Sequence, residues 1–345
     1  MANVLDIRRR IRSVRNTRQI TKAMKMISAA RLRRAQDRAL SSRPYGQMLT
    51  NVLKSLVSRA ETYDPDTGQA RHPLLAIRPE QRILMIVVTA DRGLAGAFNS
   101  NILKAAMRFL QNNAEKEIDI ETMGRKGRDF LRRRFPTAKP EEPGRAGRVQ
   151  IVGEHVGVVG KLDFAYARKL ADSVIERYAL AEVDAVYVLF NEFKSVISQR
   201  LVADQILPIE EIGERDIRMA EELTEEQKKA HAEAARTAGV SVQEADTREM
   251  DRQAAAFATA QVDYIYEQSP AELFRDLLPK YVAVQMYRAL LESVAAEQAA
   301  RMTAMDAATK NAEEMIDHLT LVMNRLRQAK ITKEIIEIVS GAAAQ

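Results

Sequence analysis

The sequence predicts an α/β domain with an open sheet of about five strands, joined to a long antiparallel two-helix coiled coil made by the two ends of the chain. In the middle of the chain, short apolar and β-branched segments alternate with helical ones, as in α/β domains. Near the C-terminus, neither Pro nor Gly occurs between Lys280 and Ser340, which at 1.5 Å per residue predicts a rod of roughly 90 Å. A single domain core cannot bury a helix of that length.

Both ends of the chain carry the spacing of a two-helix seam. The N-terminal helix, predicted over residues 1–60, has apolar residues at alternating intervals of three and four: Val4, Ile7, Ile11 and Val14. The C-terminal helix, predicted over residues 269–345, repeats this pattern at Leu319, Val322, Leu326 and Ala329. Because a compact domain joins the two helices, we expect them to pair antiparallel as a shaft that projects from an α/β foot. The seam changes phase in each helix, which would make the shaft bent and asymmetric.

Prolines and glycines mark where the shaft helices should begin, bend and end. Ser269 is a suitable N-cap with Pro270 at the first helical position, and Gly341 should end the helix. Pro44 and Pro279 remove backbone donors inside the two predicted helices, so we expect an interruption or a kink at each.

The foot is predicted over residues 80–212 as a Rossmann-like sheet with helices. Its strands are Arg82–Thr89, Ile118–Thr122, Val149–Val152, Ala185–Phe190 and an extended segment at Ser195–Ile209. Its helices are Asn99–Asn113, Gly124–Phe135 and Asp163–Tyr178. Continuous apolar strands of this kind are typical of a sheet that is covered on both faces.

Residues 213–260 interrupt the α/β pattern. The segment is acidic on balance and poor in large apolar residues. Thr224 and Gln227 form a predicted capping box, and Gly239 should end the helix that follows. We therefore predict an exposed helical insert that lies free of the foot or rests on its surface. Three acidic residues just before the insert are interpreted as surface charges: Asp204, Glu210 and Glu211.

Composition excludes several kinds of chemistry. The 345-residue chain has no Cys, which excludes disulfides, thiolate catalysis and Cys-based metal sites. Its four His residues are far apart and lack zinc-binding spacing, so we predict no metal site, no cofactor and no catalytic residues. No apolar segment is long enough to cross a bilayer, so we expect a soluble chain that meets a membrane only through partners.

A Gly-containing turn after the first strand supports one alternative function, a nucleotide-binding α/β enzyme. Gly93 and Gly96 lie between a strand and a helix, where phosphates often bind. The turn nevertheless has two glycines rather than the three of G-x-G-x-x-G, and no GK[ST] follows. We interpret it as a structural turn.

Positive charge near the N-terminus supports a second alternative, a basic coiled-coil nucleic-acid-binding protein. Thirteen Lys and Arg residues stand against Asp6 and Asp37 between Met1 and Arg43. Such a stripe is typical of chains with polyanionic or acidic partners. Consecutive arginines at 8–10 spread the charge around the helix instead of on one DNA-reading face, which favours a protein partner over nucleic acid. Neither alternative explains the long C-terminal helix.

Several segments resemble the gamma subunit of F-type ATP synthases. They are Ser13–Met26, Thr89–Leu94 with Gly96, Glu297–Met305, Asn324–Thr332 and Glu337–Ala342. The resemblance extends over the whole chain except about residues 213–260, where gamma subunits of photosynthetic organisms carry an insert with a redox-active cysteine pair. Ala95 stands where Cys is common in the family. Because this insert has no cysteine, the resemblance implies no thiol switch.

The resemblance implies a noncatalytic, torque-carrying subunit of a proton-translocating complex. One copy of the shaft would turn inside a hexamer of alternating alpha and beta subunits, while the foot sits with the epsilon subunit on the c-ring of the membrane sector. The asymmetric shaft would then drive the three beta sites through their nucleotide states in turn. The implied location is the cytoplasmic face of the bacterial plasma membrane, where partners hold the chain peripherally.

The resemblance also implies contact residues on the shaft. Four of them match a polar patch that meets a loop of the beta subunit: Arg327, Gln328, Thr332 and Glu334. Three more lie where the N-terminal helix faces an acidic segment of beta: Lys22, Met24 and Lys25. Residues after Glu337 would form the tip of the shaft in an apolar bearing.

Overall fold

A computed structural model describes residues 4–57, 71–138, 144–158, 160, 162–242 and 269–343. In chain order the elements are α1 (Val4–Val57), β1 (Arg82–Val88), α2 (Phe98–Asn112), β2 (Glu117–Met123), α3 (Arg125–Leu131), β3 (Val149–His155), α4 (Phe164–Ala179), β4 (Ala185–Phe193), β5 (Gln199–Leu207), β6 (Asp216–Glu222), α5 (Glu225–Thr237) and α6 (Pro270–Ala343). A single 3-10 turn at Pro73–Leu75 precedes β1. Among the described residues no helix is both long enough and apolar enough to cross a bilayer.

The foot is built on a mixed sheet in the order β3-β2-β1-β4-β5-β6. The first four of these strands run parallel, β5 pairs antiparallel with β4, and β6 pairs antiparallel with β5. Six of the seven residues of β1 are buried, and its side chains alternate between the two sides of the sheet. This two-sided burial confirms the predicted α/β foot with its covered sheet.

The shaft helices form part of both layers that cover the sheet. On one face the core joins α2 and α5 to shaft residues such as Leu32 and Ala299. On the other face it joins α4 to Leu53 and to α6 residues such as Leu290. The foot and the lower half of the shaft therefore share one continuous packing arrangement.

The two long helices pair antiparallel, as the sequence predicts. The hydroxyl oxygens of Thr21 and Thr309 lie 2.8 Å apart. One turn away in each direction along α1, Arg18 pairs with Glu313 and Lys25 with Asp306. At 1.5 Å per residue, the 74 residues of α6 extend about 110 Å.

The sheet has six strands where the sequence predicts about five, because the insert supplies β6. Along this strand Ile217 and Met219 are partly buried while Arg218 and Ala220 are exposed. This alternation is short and interspersed with charges, so it lacks the apolar run that marks the other strands. Charged side chains are typical of edge strands, where they discourage pairing with another chain.

The predicted exposure of the insert is also corrected over its described part. Helix α5 has the expected Thr224–Gln227 capping box, and Gly239 follows it with a φ of 66°. Yet His231, Ala234 and Ala235 are buried, and the two alanines lie in the core cluster that joins the foot to the shaft. Alanine buries a helix face without any large apolar residue, which the composition alone does not reveal. Residues 243–260 of the insert lie outside the described part of the chain.

Neither proline ends its helix, since α1 continues through Pro44 and α6 through Pro279. Near Pro279, Leu278 and Val282 are almost fully buried, and this packing compensates for the hydrogen bond that proline cannot donate. At the other end α6 continues past Gly341 to Ala343. Ser269 does cap the first turn, since its hydroxyl accepts a hydrogen bond from the Glu272 amide at 3.3 Å.

Candidate functional site

The upper shaft, residues 4–24 of α1 and 307–343 of α6, is held by a narrow apolar seam. Ile7, Ile11 and Ile316 are buried in it, and further residues pack partly against them: Val14, Leu319, Val322, Met323 and Leu326. Because Thr21 lies opposite Thr309, the antiparallel register places Val4 opposite a position near Leu326. No described residue of α1 lies alongside α6 beyond that point.

The end of α6 is exposed on all sides. Every side chain from Arg327 to Ser340 is exposed. Five of them are large and apolar, with exposed fractions from 47 to 71%: Ile331, Ile335, Ile336, Ile338 and Val339. An exposed apolar surface of this extent is typical of a region that a partner covers.

Charged residues occupy the other side of the same helix end. At 100° per residue, Ile331, Ile335 and Ile338 share one side. Val339 and Ile336 extend this side around the helix, and the rest of the circumference carries two ion pairs one turn apart, Lys330 with Glu334 at 3.6 Å and Lys333 with Glu337 at 3.5 Å. The end of α6 therefore has one apolar side and one charged side.

Four sequence-predicted contact residues lie together on this exposed end. Arg327, Gln328, Thr332 and Glu334 fall within two turns of α6, and all four are exposed. The hydroxyl of Thr332 donates to the backbone carbonyl of Gln328 at 3.0 Å. Arg327 and Gln328 stand at the point where α6 leaves α1, so any partner of the bare end must pass beside them.

The other three predicted contact residues differ in exposure. Lys22 is exposed and Met24 is partly buried on α1. Lys25 instead turns inward: its Nζ donates to Oδ1 of Asp306 at 2.7 Å and to the hydroxyl of Thr237 at 2.9 Å. The expectation that Lys25 presents its charge to a partner is therefore corrected, since that charge is already paired inside the chain.

The ion pair of Lys25 also controls the ionisation of its partner. Burial raises the pKa of Asp306, but hydrogen bonds from Lys25 and Lys310 outweigh burial and hold this pKa below its ordinary value. The carboxylate is therefore charged throughout the physiological pH range, and the pair persists with it.

The glycine turn after β1 packs against α6. Arg301 of α6 donates from one terminal guanidinium nitrogen to the backbone carbonyls of Arg92 and Gly93, both at 3.3 Å. A Cβ on Gly96, whose φ is 54°, would lie 3.7 Å from the Cβ of Ala304. The turn thus receives the shaft where a nucleotide enzyme would receive phosphate, and this packing argues against the nucleotide alternative.

A buried ionic network at the base of the foot was not recognised from the sequence. Asp204, predicted as a surface charge, is buried and accepts from Nε of Arg215 at 2.7 Å. Arg215 also bonds Glu192, which is buried on β4. Burial raises the pKa of Asp204, and the nearby Arg215 charge partly opposes this. Two charged residues of opposite sign, eleven positions apart, give no sequence signal that they are buried together.

No group of three or more potential metal ligands occurs in the described part of the chain. The exposed end of α6 offers a partner an apolar side and a charged side, and buried polar contacts hold the shaft on the foot.

Comparison with known families gives a match over almost the whole chain. A family model described as ATP synthase matches residues 3–345. A protein named ATP synthase gamma chain from Solibacter usitatus is 46% identical over 344 residues, covering 100% of this chain and 99% of the relative. A protein of the same name from Geobacter metallireducens is 43% identical, covering 99% of this chain and 98% of the relative.

Solved structures resemble this fold at low sequence identity. A central stalk and c-ring structure of the Tetrahymena thermophila mitochondrial ATP synthase matches with a TM-score of 0.51 and 21% identity, covering 84% of this chain and 99% of that one. The Euglena gracilis mitochondrial ATP synthase matches with a TM-score of 0.54 and 18% identity, covering 99% and 94%. At these identities the likeness concerns the fold alone.

Proposed function

Because this chain belongs to the family of ATP synthase gamma chains, we propose that it is the rotating central stalk of a proton-translocating F-type ATP synthase. It carries torque between the membrane c-ring and the catalytic beta subunits and performs no bond chemistry. One observation carries this proposal: beyond Leu326 no described residue of α1 lies alongside α6, which continues there with exposed isoleucines.

The bare helix end needs a surrounding partner. A lone helix buries little apolar surface in water, and most helical stability comes from packing. Ile335 and Ile338 are 55 and 71% exposed, so enclosure in an apolar sleeve would remove that surface from water. A hexamer of alternating alpha and beta subunits with a central hollow is such a sleeve.

The two-sided helix end explains how rotation acts on three equivalent sites. As the shaft turns, each beta subunit meets in succession the apolar side at Ile335 and the charged side at Lys333 and Glu337. Different contacts at each angle stabilise different conformations of the surrounding subunit. A symmetric rod would make the same contacts at every angle and could not order the sites.

The remaining assignments follow from the same proposal. The polar patch from Arg327 to Glu334 contacts a loop of beta, and Lys22 and Met24 contact beta lower on the shaft. The foot meets the epsilon subunit and the c-ring, with one copy of this chain in each complex. The chain belongs peripherally to a membrane-bound complex, which we place on the cytoplasmic face of the bacterial plasma membrane.

Truncation tests the proposal. A chain that ends before Ile331 loses the bare apolar end but keeps the seam and the foot, so we expect normal foot folding and impaired proton pumping by ATP hydrolysis in membrane vesicles. A chain that ends after Gly341 is the matched control and should pump normally. Wild-type coupling in the shorter chain would contradict the shaft assignment.

A further inference from the structure

Helix α5 of the insert contacts both shaft helices where they leave the foot. The hydroxyl of Thr237 accepts from Lys25 of α1 at 2.9 Å and lies 3.2 Å from Oδ1 of Asp306 on α6. One turn earlier, Glu233 pairs with Lys310 of α6 at 2.5 Å. The insert therefore joins the two helices at one level, through side chains of all three elements.

Helix α5 also contacts the foot. Nδ1 of His231 lies 3.4 Å from Nε2 of Gln199, at the start of β5. Ala234 and Ala235 are fully buried in the core cluster that joins β1 and α2 to the two shaft helices. The same helix thus contacts both the sheet and the shaft.

A second connection lies at the start of the insert. Arg215, before β6, is bonded to Asp204 on β5 and to Glu192 on β4. Arg288 of α6 lies 3.8 Å from the same Glu192 carboxylate. Residues 213–242 are consequently fastened to the foot at Arg215 and His231 and to the shaft at Glu233 and Thr237.

We propose that residues 213–242 form a brace that fixes the rotational setting of the shaft on the foot, with Thr237 as its positioning residue. This inference rests on the proposed function, since the brace matters because torque passes through this junction. Near the brace α1 and α6 pack through small residues such as Ala29, Ala299 and Ala312. Such small side chains interlock little, so they give weak resistance to sliding or twisting of one helix against the other. A buried ion pair has one favourable geometry, and buried polar groups are known to fix register in helix pairs.

The position of the brace favours this role over a purely stabilising one. The side chains of Lys25 and Asp306 are only 11 and 9% exposed. Water therefore cannot take the place of either partner in this ion pair unless one of the helices moves. Any rotation of the shaft relative to the foot would stretch the contacts of Thr237 to both helices at once. The torque that reaches the foot is therefore delivered to both helices together.

The test compares Thr237→Val with Thr237→Ser in the assembled complex. Valine keeps the shape of threonine but removes the hydroxyl, whereas serine keeps the hydroxyl. Because Thr237 is itself exposed, both variants should fold and assemble. A Glu226→Ala substitution on the exposed side of α5 is the control for unrelated effects on the helix.

Two readouts are needed, hydrogen exchange and coupling. In Thr237→Val we expect the amides of α5 to exchange at least tenfold faster, while those of β1 and β4 keep their rates. We also expect at least a twofold fall in protons pumped per ATP hydrolysed in vesicles. Thr237→Ser and Glu226→Ala should match the wild type in both measurements.

The outcomes separate the brace from the proposed function. Unchanged exchange in Thr237→Val would overturn the brace, and so would faster exchange with full coupling. The chain truncated before Ile331 is measured in parallel. If truncation uncouples the enzyme and loosening of α5 does not, the brace fails alone; if truncation also leaves coupling intact, the shaft assignment fails.

Discussion

Arg215 and Asp204 form a buried pair in which Nε of the guanidinium donates to Oδ2 of the carboxylate at 2.7 Å. Arg215 comes from the insert and Asp204 from β5, so this contact fastens to the foot an element that the sequence predicts to be exposed. Removing the arginine would leave Asp204 buried without its ion-pair partner, whereas Glu192 would keep its bond to Arg200. An unpaired buried charge of this kind typically costs about 3–5 kcal/mol.

We therefore predict that Arg215→Met lowers the free energy of unfolding by about 3–5 kcal/mol. Urea unfolding followed by far-UV circular dichroism measures this, since the chain has no Trp for fluorescence. Arg168→Met is the matched control, because the Arg168 side chain is 61% exposed and exposed ion pairs contribute about 0–1 kcal/mol. If the two substitutions lower the free energy of unfolding equally, the buried network contributes no more to stability than an exposed ion pair does.

The docking of α5 should depend on pH through His231. Burial lowers the pKa of His231 to about 4 from an ordinary value of 6.5, with a hydrogen bond to the Val196 backbone opposing it. The folded state therefore holds the neutral ring, while the unfolded chain takes up a proton below its ordinary pKa. The stability that His231 contributes is complete above pH 6.5 and is lost as pH falls towards 4, by about 3 kcal/mol in total.

Hydrogen exchange of the α5 amides at pH 7.5 and pH 5 checks this prediction once the intrinsic rates are corrected for pH. We expect the protection of α5 to fall at pH 5 in the wild type and to change much less in His231→Gln. His318→Gln serves as control, since His318 is exposed on the upper shaft. A wild-type α5 whose protection is the same at both pH values would contradict the assignment.

The polar patch on α6 should affect turnover without affecting folding. Arg327 and Gln328 are exposed, and Ala is an excellent helix former, so the double substitution to Ala should leave the helicity of the isolated chain unchanged. If these side chains make hydrogen bonds to beta, the substitution removes about 1.5–3 kcal/mol of interaction free energy for each bond that involves a charged group. We expect at least a tenfold fall in ATP turnover of the assembled enzyme.

The control for this experiment is the double substitution Arg168→Ala with Lys169→Ala on α4. These residues are exposed and lie on the foot, far from the patch in the chain. Wild-type ATPase activity after substitution of Arg327 and Gln328 would show that the patch makes no torque contact.

The long-range pattern of the fold could be predicted from the sequence. The continuous run of apolar residues predicts β1, and the apolar residues at intervals of three and four, such as Ile7 and Ile11, predict the seam. Both patterns can be recognised within a short stretch of sequence. The antiparallel shaft then followed from two helices joined by one domain. These features depend on the period of apolar residues and not on individual partners.

The insert could not be predicted in the same way. Its burial depends on alanines of α5 and on the pairing of Arg215 with Asp204, and neither has a local signature. Small residues are compatible with both exposure and close packing, and a charge is buried only where tertiary structure brings its partner. Lys25 is a similar case, because the sequence does not show that its charge is paired with Asp306, which lies far along the chain.

The central claim is that this chain turns inside a threefold ring, and single-molecule rotation tests it most directly. Because the chain has no Cys, a Glu115→Cys substitution at an exposed position of the foot gives a unique attachment point for a bead. The alpha–beta hexamer is fixed to a surface and ATP is supplied. We predict rotation in one direction with three equally spaced pauses per turn, whereas a bead that stays still while the same complexes hydrolyse ATP would contradict the account.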